Sequence, residues 1–437
     1  MSERSFVRVE RLWRPPGREN LVKFDSASEG RPRPRRWRLA AAALVPLLLA
    51  ACGGNGQSSG DAASEPYHLG VLVDLTGSYA ALGEAEKTAT EAFAKKVNAE
   101  GGINGRQLKL TVVDGRSSES DAVSGVRKLH SEGALAVIGP SGTSASIAIK
   151  PITASLKIPA IGMASGTAIV EPIEEAKWMF KNFPDITRST RAMLSFAKGL
   201  GAKSVSVLAP NNAYGQQQSK AVPELAKEYG LTVAGSELHD PDATDFVPQL
   251  TRLKGAAPDS VIVYGVVPGS AVIGQNAKQI GFDAEFIYEP GSASPDFIKV
   301  GQDAVEGRYV VGTKALVADS IAEDDPQYQA VKDFVAAYGA EPTQFAGNGW
   351  DAITMFTEAI KKADPDLSDL DAARTAIRDA LENQLGGTAA VNGIYRYSPT
   401  DHSGLGSEGL ALLQVKDGAF RYAGGLTETG EVVLDQE

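Results

Sequence analysis

Short apolar runs alternate with longer amphipathic stretches over most of the chain, beginning at residue 67. Each apolar run is followed by turn residues, a pattern typical of buried strands in a parallel sheet. In the first half the predicted strands are Tyr67–Val73, Leu108–Val113, Ala134–Ile138 and Ile158–Met163. In the second half they are Val205–Ala209, Thr232–Ser236, Val261–Tyr264 and Glu285–Tyr288. The alternation predicts an α/β protein with two lobes of similar doubly wound, parallel-sheet organisation.

The amphipathic stretches between these strands predict helices. They run from about residue 79 to about Asn98, over Asp121–Ser131, from about Thr143 to Ala154, and over Ile186–Lys198, Tyr214–Tyr229, Phe246–Lys254 and Ser270–Ile280. After Thr313 the pattern predicts helices Pro326–Tyr338, Gly349–Lys362 and Leu370–Asn383, then a hairpin of Gly409–Val415 and Phe420–Ala423. This tail is too small for a domain of its own, so we expect it to fold back onto both lobes.

The single cysteine of the chain, Cys52, directly follows a short apolar stretch, Leu39–Ala51, and an arginine-rich segment from residue 31 to residue 38. This order is the layout of a secretory signal. Leu49-Ala50-Ala51-Cys52 resembles the bacterial lipoprotein box, in which the cysteine is acylated and becomes the mature N-terminus. A membrane-spanning helix needs about 20 apolar residues, so we expect a lipid anchor at Cys52 on the outer face of the membrane. The alternative is a short buried segment with a chance cysteine.

Charge and residue types exclude several classes of function. The chain has 43 Lys and Arg against 54 Asp and Glu, and residues 1–51 hold 11 and 5 of these, which leaves 32 against 49, or a net charge of −17. Such a balance disfavours nucleic acid as a partner. One cysteine and four widely spaced histidines predict neither a disulfide nor a metal site. No nucleophile elbow, phosphate loop or dinucleotide motif is present, so we expect neither an enzyme nor a cofactor.

These features divide the chain into four predicted parts. Residues 1–51 form an N-terminal extension with the lipoprotein signal, 52–66 a Gly- and Ser-rich flexible linker, 67–184 with 315–405 lobe 1, and 185–314 with 406–437 lobe 2.

Several short motifs share their order and spacing with a known family. They are Leu75-Thr76-Gly77, Gly101–Leu108 ahead of Val113-Asp114, Ile138-Gly139-Pro140 with Thr143–Ser146, Tyr214-Gly215, Thr244-Asp245-Phe246, and Pro258-Asp259. Together they resemble periplasmic binding proteins of the leucine/isoleucine/valine type (type I), over Tyr67 to about Val415. The resemblance implies two α/β lobes joined by a three-segment hinge, which close on a ligand in the cleft between them.

The resemblance also implies which lobe 1 residues contact the ligand. Thr143 and Ser144 begin a helix after a strand, where hydroxyls and free backbone N–H groups suit a ligand carboxylate. An ordinary helix cap is the alternative interpretation. Ser165, Gly166 and Thr167 align with the second cleft segment of the family, whose small residues permit close approach of the backbone. A simple turn is the alternative for these three.

In lobe 2 the family places a covering tyrosine where Tyr214 stands and a carboxylate close to Glu289, which would pair with a ligand ammonium. Asp74, at the end of the first strand, is a second candidate carboxylate. Tyr79 and Trp350 are predicted to fill nearby space in the cleft. This chain departs from the family pattern at Leu82, Val266 and the Pro-Gly pair after Glu289, and these departures concern the ligand more than the fold.

The expected function is a monomeric, extracytoplasmic and lipid-anchored solute-binding protein. It would deliver an amino acid of the branched-chain type, or a similar small carboxylate, to an ABC permease in the membrane by hinge closure. A ligand-sensing receptor module of the same fold is the alternative, and an exported hydrolase is a third possibility that the motifs disfavour.

Overall fold

The computed structural model describes residues 65–427 and 431–434. These residues lie within one compact unit, 60–437. The predicted signal, Cys52 and nearly all of the predicted linker lie outside the described residues.

The first sheet of the described chain has five strands, all parallel, in the order β2-β1-β3-β4-β5. The strands are β1 (Tyr67–Val73), β2 (Leu108–Asp114), β3 (Ala136–Ile138), β4 (Ala160–Gly162) and β5 (Met179–Lys181). The helices between them are α1 (Ala80–Ala99), α2 (Glu119–Ser131) and α3 (Thr143–Leu156). Every residue of β1 is buried. Because helices cover both faces of the sheet, β1 is a continuous apolar run rather than an alternation of apolar and polar residues.

The second sheet has eight strands among the described residues, in the order β15-β14-β13-β10-β9-β8-β6-β7. Its first part contains α4 (Ile186–Gly199), β6 (Ser204–Pro210), α5 (Ala213–Glu228), β7 (Thr232–His239), α6 (Val247–Gly255), β8 (Ser260–Val263), α7 (Gly269–Gln279), β9 (Glu285–Tyr288), α8 (Pro295–Gly301) and β10 (Tyr309–Thr313). Strands β6 to β10 are parallel to one another.

The remaining elements return to both sheets. They are α9 (Tyr328–Tyr338), α10 (Gln344–Ala363), α11 (Leu370–Gln384), the small pair β11 (Thr388–Ala389) and β12 (Ile394–Tyr395), β13 (Leu410–Lys416), β14 (Ala419–Leu426) and β15 (Val432–Leu434). Helix α10 packs against α1, whereas β13 pairs antiparallel with β10. The chain therefore passes between the two sheets three times, after β5, β10 and β12.

This architecture confirms the predicted fold class of two parallel-sheet α/β lobes. The residue boundaries proposed for the lobes stay a prediction. The apolar pattern does not predict β5 and β10, and helix α10 begins at Gln344 rather than at the predicted Gly349. Gly347 and Gly349 weaken the helical pattern at the start of α10. Gly349 permits the close contact between α10 and α1, because a Cβ on it would lie 2.5 Å from the backbone oxygen of Glu86.

Candidate ligand-binding site

The two sheets present the carboxyl ends of their parallel strands to one shared cavity. Open α/β sheets bind ligands at such ends because the connecting loops and helix N-termini converge there. We name this space the central cavity; its volume is about 40 Å³. It is lined by Tyr79, Leu82, Ser141, Gly142, Thr143, Met163, Ala164, Ser165, Phe183, Tyr214, Val266, Glu289, Gly291 and Phe345.

The structure brings five of the predicted site residues together here, namely Tyr79, Thr143, Ser165, Tyr214 and Glu289. Asp74 and Ser144 instead line a neighbouring cavity, which Tyr79 also borders. Thr167 lines a third cavity, next to Lys220. Gly166 lies against the wall of the central cavity, since a Cβ there would be 2.4 Å from Cγ2 of Thr143.

The wall formed by the first sheet offers hydroxyls and a helix N-terminus. Thr143 and Ser165 are buried, at 2% and 4% exposure. Thr143 is the first residue of α3, and the N-cap Gly142 has no side chain to bond the first N–H groups of the helix. Those N–H groups carry the positive end of the helix dipole. This wall therefore suits an anion such as a carboxylate.

Lys181 holds this wall in place from behind. Its side chain is fully buried, and its Nζ donates to the carbonyl oxygens of Ser165 (3.3 Å) and Phe183 (3.1 Å) and lies 3.9 Å from the Asp185 carboxylate. Burial lowers the pKa of Lys181, while Asp185 opposes that change. Both residues that receive its hydrogen bonds line the central cavity, so we assign Lys181 a positioning role.

The wall formed by the second sheet carries the carboxylate of Glu289, which is 2% exposed. Burial raises the pKa of Glu289 to about 7, while the nearby Tyr214 hydroxyl and the backbone N–H groups of Gly265 and Gly291 limit the rise. The Tyr214 hydroxyl has no partner at full hydrogen-bond geometry among the described residues. None of the residues that line the central cavity is Lys, Arg or His. The wall thus holds a buried acid without a basic partner.

One hydrogen bond joins the two walls directly. The side-chain amide of Asn212 donates to the Tyr79 hydroxyl at 2.8 Å. Asn212 is also the N-cap of α5 and accepts from the N–H of Gly215 at 3.0 Å, which fixes the helix that carries Tyr214. The loop after β1 and the helix after β6 are connected by this contact at the edge of the cavity.

Two further buried carboxyl groups, those of Asp74 and Glu86, lie beside the first wall. Asp74 is fully buried; its Oδ1 accepts from the N–H of Ser117 at 2.9 Å, and its Oδ2 has no partner among the described residues. Burial raises the pKa of Asp74 to about 6. The Glu86 carboxyl accepts a hydrogen bond from Ser141, and burial raises its pKa well above the usual range. Burial therefore disfavours the charged form of Glu86.

Sequence reasoning missed several residues of this region. Glu86 lies on the buried face of α1 together with Leu82, Ala89 and Phe93, so a charged residue at an apolar position was the available signal. Phe183 and Phe345, whose ring centroids are 6.2 Å apart, come from the segments that connect the sheets. No local pattern marked those segments. Trp350, predicted near the cleft, instead packs in the core against Phe93 and Phe334.

The described residues contain no group of three or more His, Cys, Asp or Glu side chains arranged to hold a metal ion. Over the same part of the chain, no helix combines the length and apolar character needed to cross a membrane.

Comparison with known proteins identifies the family. A family model described as periplasmic binding protein matches residues 66–419. The chain belongs to the periplasmic binding protein family. This membership confirms the predicted resemblance and the prediction of a binding protein rather than an enzyme.

Relatives within this family are distant in sequence but cover most of the chain. A Leu/Ile/Val-binding protein of Rhizobium johnstonii is 24% identical over 323 residues, or 72% of this chain and 84% of the relative. A leucine-, isoleucine-, valine-, threonine- and alanine-binding protein of Pseudomonas aeruginosa is 25% identical over 320 residues, 72% of this chain and 83% of the relative. The crystal structure of an extracellular ligand-binding receptor from Rhodopseudomonas palustris matches with a TM-score of 0.76 and 28% identity, over 82% of this chain and 99% of that one.

Proposed function

We propose that this protein is an extracytoplasmic, lipid-anchored solute-binding protein that captures an amino acid or a related small carboxylate for an ABC importer. The observation that carries the proposal is the pair of opposed walls in the central cavity. One wall offers hydroxyls and helix N–H groups, and the other offers a buried carboxylate without a basic partner.

The ligand carboxylate binds to the first wall in this proposal. The Thr143 and Ser165 hydroxyls and the uncapped N–H groups of α3 surround it. A helix N-terminus attracts an anion through its dipole and supplies donors that need no further partner. Of the other predicted residues in the same segments, Gly166 lies against this wall, whereas Ser144 and Thr167 line neighbouring cavities.

The ligand ammonium pairs with Glu289 on the opposite wall. A buried carboxylate without a counter-charge is costly, and a cation that enters the cavity removes that cost. Tyr214 lies beside the carboxylate and covers the ligand from the same side. Asp74 lines the neighbouring cavity rather than the central one, so Glu289 is the preferred partner.

Closure around the ligand follows from the position of the two walls on different sheets. A ligand that contacts both walls favours the arrangement in which they meet, because it binds that arrangement more strongly than a separated one. The hydrogen bond from Asn212 to Tyr79 also stabilises the arrangement in which the two walls meet. A membrane permease would recognise this ligand-bound form.

The anchor and the location rest on the sequence and on the family. Cys52 follows a lipoprotein-type signal, and membership in the periplasmic binding protein family supports a location outside the cytoplasm. The two relatives named above are described as amino-acid-binding proteins, which supports an amino-acid ligand here. A monomer that requires no cofactor is sufficient for this function.

A ligand-sensing receptor without a transport role is the second candidate. The solved structure from Rhodopseudomonas palustris is described as an extracellular ligand-binding receptor, and it covers 82% of this chain. The two candidates share the site and differ in the partner. Uptake of radiolabelled ligand by cells lacking this protein distinguishes them, since uptake falls only if the protein serves an importer.

A thermal-shift screen with amino acids, their amides and small organic acids tests the proposal. A ligand at a hundredfold excess over its Kd stabilises the folded protein by about 2.7 kcal/mol. We expect stabilisation by at least one amino acid, and a loss of affinity of about tenfold or more in Glu289→Ala, equivalent to about 1.4 kcal/mol. Stabilisation by acids without an amino group, equal to that by amino acids, would contradict the role of Glu289.

A further inference from the structure

A second, larger cavity adjoins the central cavity on the side of the second sheet. We name it the side pocket; its volume is about 240 Å³. The segments that follow β6, β7 and β8 form it, and its apolar surface comes from residues such as Phe246, Val266 and Ile273. Tyr79, Tyr214 and Val266 line both cavities. The two spaces are therefore neighbours that share one boundary.

The volumes show that the central cavity accommodates only a small group. A water molecule needs about 10–15 Å³ of such space, so 40 Å³ suits the few atoms of an amino-acid head group. The side pocket has 240 Å³ and suits a much larger substituent. Pro210, Val267 and Pro268 extend its apolar lining. An aromatic or long apolar side chain matches this lining better than a small one.

Besides the Tyr214 hydroxyl, two buried polar atoms on residues that line the side pocket have no partner in the described part of the chain. Nε2 of His239 and Oγ of Ser270 have no hydrogen-bond partner among the described residues. The two residues are only 6% and 1% exposed. Buried polar atoms normally have a partner, and each unpaired one is destabilising. Because both residues line the side pocket, a polar group on a ligand is the partner that this site lacks.

The geometry of His239 defines the kind of polar group. Its Nδ1 lies 2.8 Å from the carbonyl oxygen of Asp240, which can only accept, so Nδ1 carries the proton. In the neutral ring Nε2 is then an acceptor. Burial lowers the pKa of His239, which favours that neutral ring. The ring packs edge-on to Phe246 at 4.8 Å, which fixes its orientation. The ligand group must therefore donate a hydrogen bond to Nε2.

We propose that the side pocket selects a ligand whose substituent is larger than that of leucine, apolar along its length and terminated by a hydroxyl. The ligand hydroxyl donates a hydrogen bond to Nε2 of His239 and accepts one from the Ser270 hydroxyl. Asp242, which also lines the side pocket, disfavours a terminal carboxylate on the ligand. A phenol-bearing amino acid belongs to this class. The inference deepens the proposed function and rests on it, because the head group is taken to occupy the central cavity.

The first experiment compares L-tyrosine, L-phenylalanine and L-leucine by isothermal titration calorimetry of the full chain. Tyrosine and phenylalanine differ only by the terminal hydroxyl. We expect tyrosine to bind at least tenfold more tightly than phenylalanine, since a site built to bond a hydroxyl rejects the analogue that lacks it. In His239→Leu the preference should fall to about twofold or less. Equal affinities for tyrosine and phenylalanine in the native protein would overturn the inference.

A second pair of variants tests the location of the substituent. Ala243 lines the side pocket but not the central cavity, so Ala243→Phe fills the side pocket alone. We expect it to weaken the binding of tyrosine by at least tenfold and the binding of leucine by less, because the shorter leucine side chain fills less of the side pocket. Ala256→Phe, at an exposed position at the end of α6, is the matched control and should change neither affinity.

The same titrations separate this inference from the proposed function. If Glu289→Gln weakens the binding of leucine but Ala243→Phe leaves the affinity for tyrosine unchanged, the side-pocket inference fails while the proposed function stands. If none of the three amino acids binds the native protein, the side-pocket inference fails, whereas the proposed function fails only if the thermal-shift screen also finds no amino acid or small carboxylate that stabilises the protein.

Discussion

Glu289 is the buried carboxylate that we expect to pair with the ligand ammonium. It is buried on the wall of the central cavity, whose lining is largely apolar; its pKa is raised to about 7 by that burial, and no basic residue lines the cavity with it. An isolated carboxylate in such a place is destabilising to the ligand-free protein. The same feature makes it a strong partner for a cation, because a ligand ammonium replaces the missing counter-charge.

The raised pKa of Glu289 predicts a pH-dependent affinity for an amino acid. Only the carboxylate pairs with an ammonium, so affinity should fall as the pH drops below about 7, by about tenfold at pH 6. Binding at pH 6 should then release a proton from Glu289, whereas binding at pH 8 should release none. Calorimetry in two buffers of different ionisation enthalpy measures this release.

Glu289→Gln is the control for that experiment, because the amide does not titrate. Asp74, with a pKa of about 6, and Asp351, with a pKa of about 7, keep their own titrations in the variant, so any remaining pH dependence comes from groups other than Glu289. Equal affinity of the native protein at pH 6 and pH 8 would contradict the pairing of Glu289 with an ammonium.

At the scale of elements, the close packing of α1 against α10 positions the first wall. Glu86 lies on α1, and Gly349 of α10 faces its backbone so closely that a Cβ on Gly349 would lie 2.5 Å from the Glu86 oxygen. Asp351, also on α10, accepts from the N–H groups of Val391 and Asn392, at 2.8 Å each. Helix α10 thus connects the first lobe to the segment that leads to β13.

Gly349→Ala should destabilise the protein by about 1–3 kcal/mol, because the added methyl forces the two helices apart. Gly255→Ala is the matched control, since Gly255 also lies in a helix but a Cβ there meets nothing within 4 Å. That control should be neutral or stabilising by up to about 1 kcal/mol. Chemical denaturation measures both, and an equal effect of the two substitutions would refute the packing argument.

The sequence predicts the longer parallel strands well and the shorter ones less well. Strands such as β1 are uninterrupted apolar runs followed by turn residues. Strands β3 and β4 are as short as β5 but lie in longer apolar runs, whereas Lys181 interrupts the run of β5, so β5 is not predicted. Strand β10 is not predicted because only the seven-residue helix α8 and short turns separate it from β9, so the usual spacing of strand and helix is absent.

The candidate site divides in the same way. Thr143, Ser165, Tyr214 and Glu289 follow strand ends, and the convergence of strand ends in a parallel sheet places them together. Phe183 and Phe345 lie on connections between the sheets, where only the tertiary structure brings them to the cavity. The unpartnered Nε2 of His239 is likewise a property of packing, which no pattern in the sequence reveals.

At the scale of the whole molecule, the described body and the predicted anchor have separate tasks. Every residue of the central cavity lies between residues 79 and 345, whereas Cys52 lies outside the described residues. A flexible linker between them would let the body bind ligand independently of the membrane. Stable attachment requires more than one acyl chain, as expected of a processed lipoprotein cysteine.

Cys52→Ser should therefore remove the lipid without altering ligand affinity. Membrane fractionation and mass spectrometry of the variant and the native protein measure the first effect, and calorimetry measures the second. If the variant, with its signal removed, still fractionates with membranes to the same extent as the native protein, the lipid-anchor proposal is wrong.

The central claim is that the cavity binds the two charged groups of an amino acid on opposite walls. The most direct measurement is a calorimetric cycle with an amino acid and its analogue lacking the amino group, in the native protein and in Glu289→Gln. Leucine with 4-methylpentanoate, and tyrosine with 3-(4-hydroxyphenyl)propanoate, are suitable pairs. We expect the native protein to prefer the amino acid by at least tenfold and the variant to bind both members of a pair with similar affinity. Equal binding of both members by the native protein would contradict the claim.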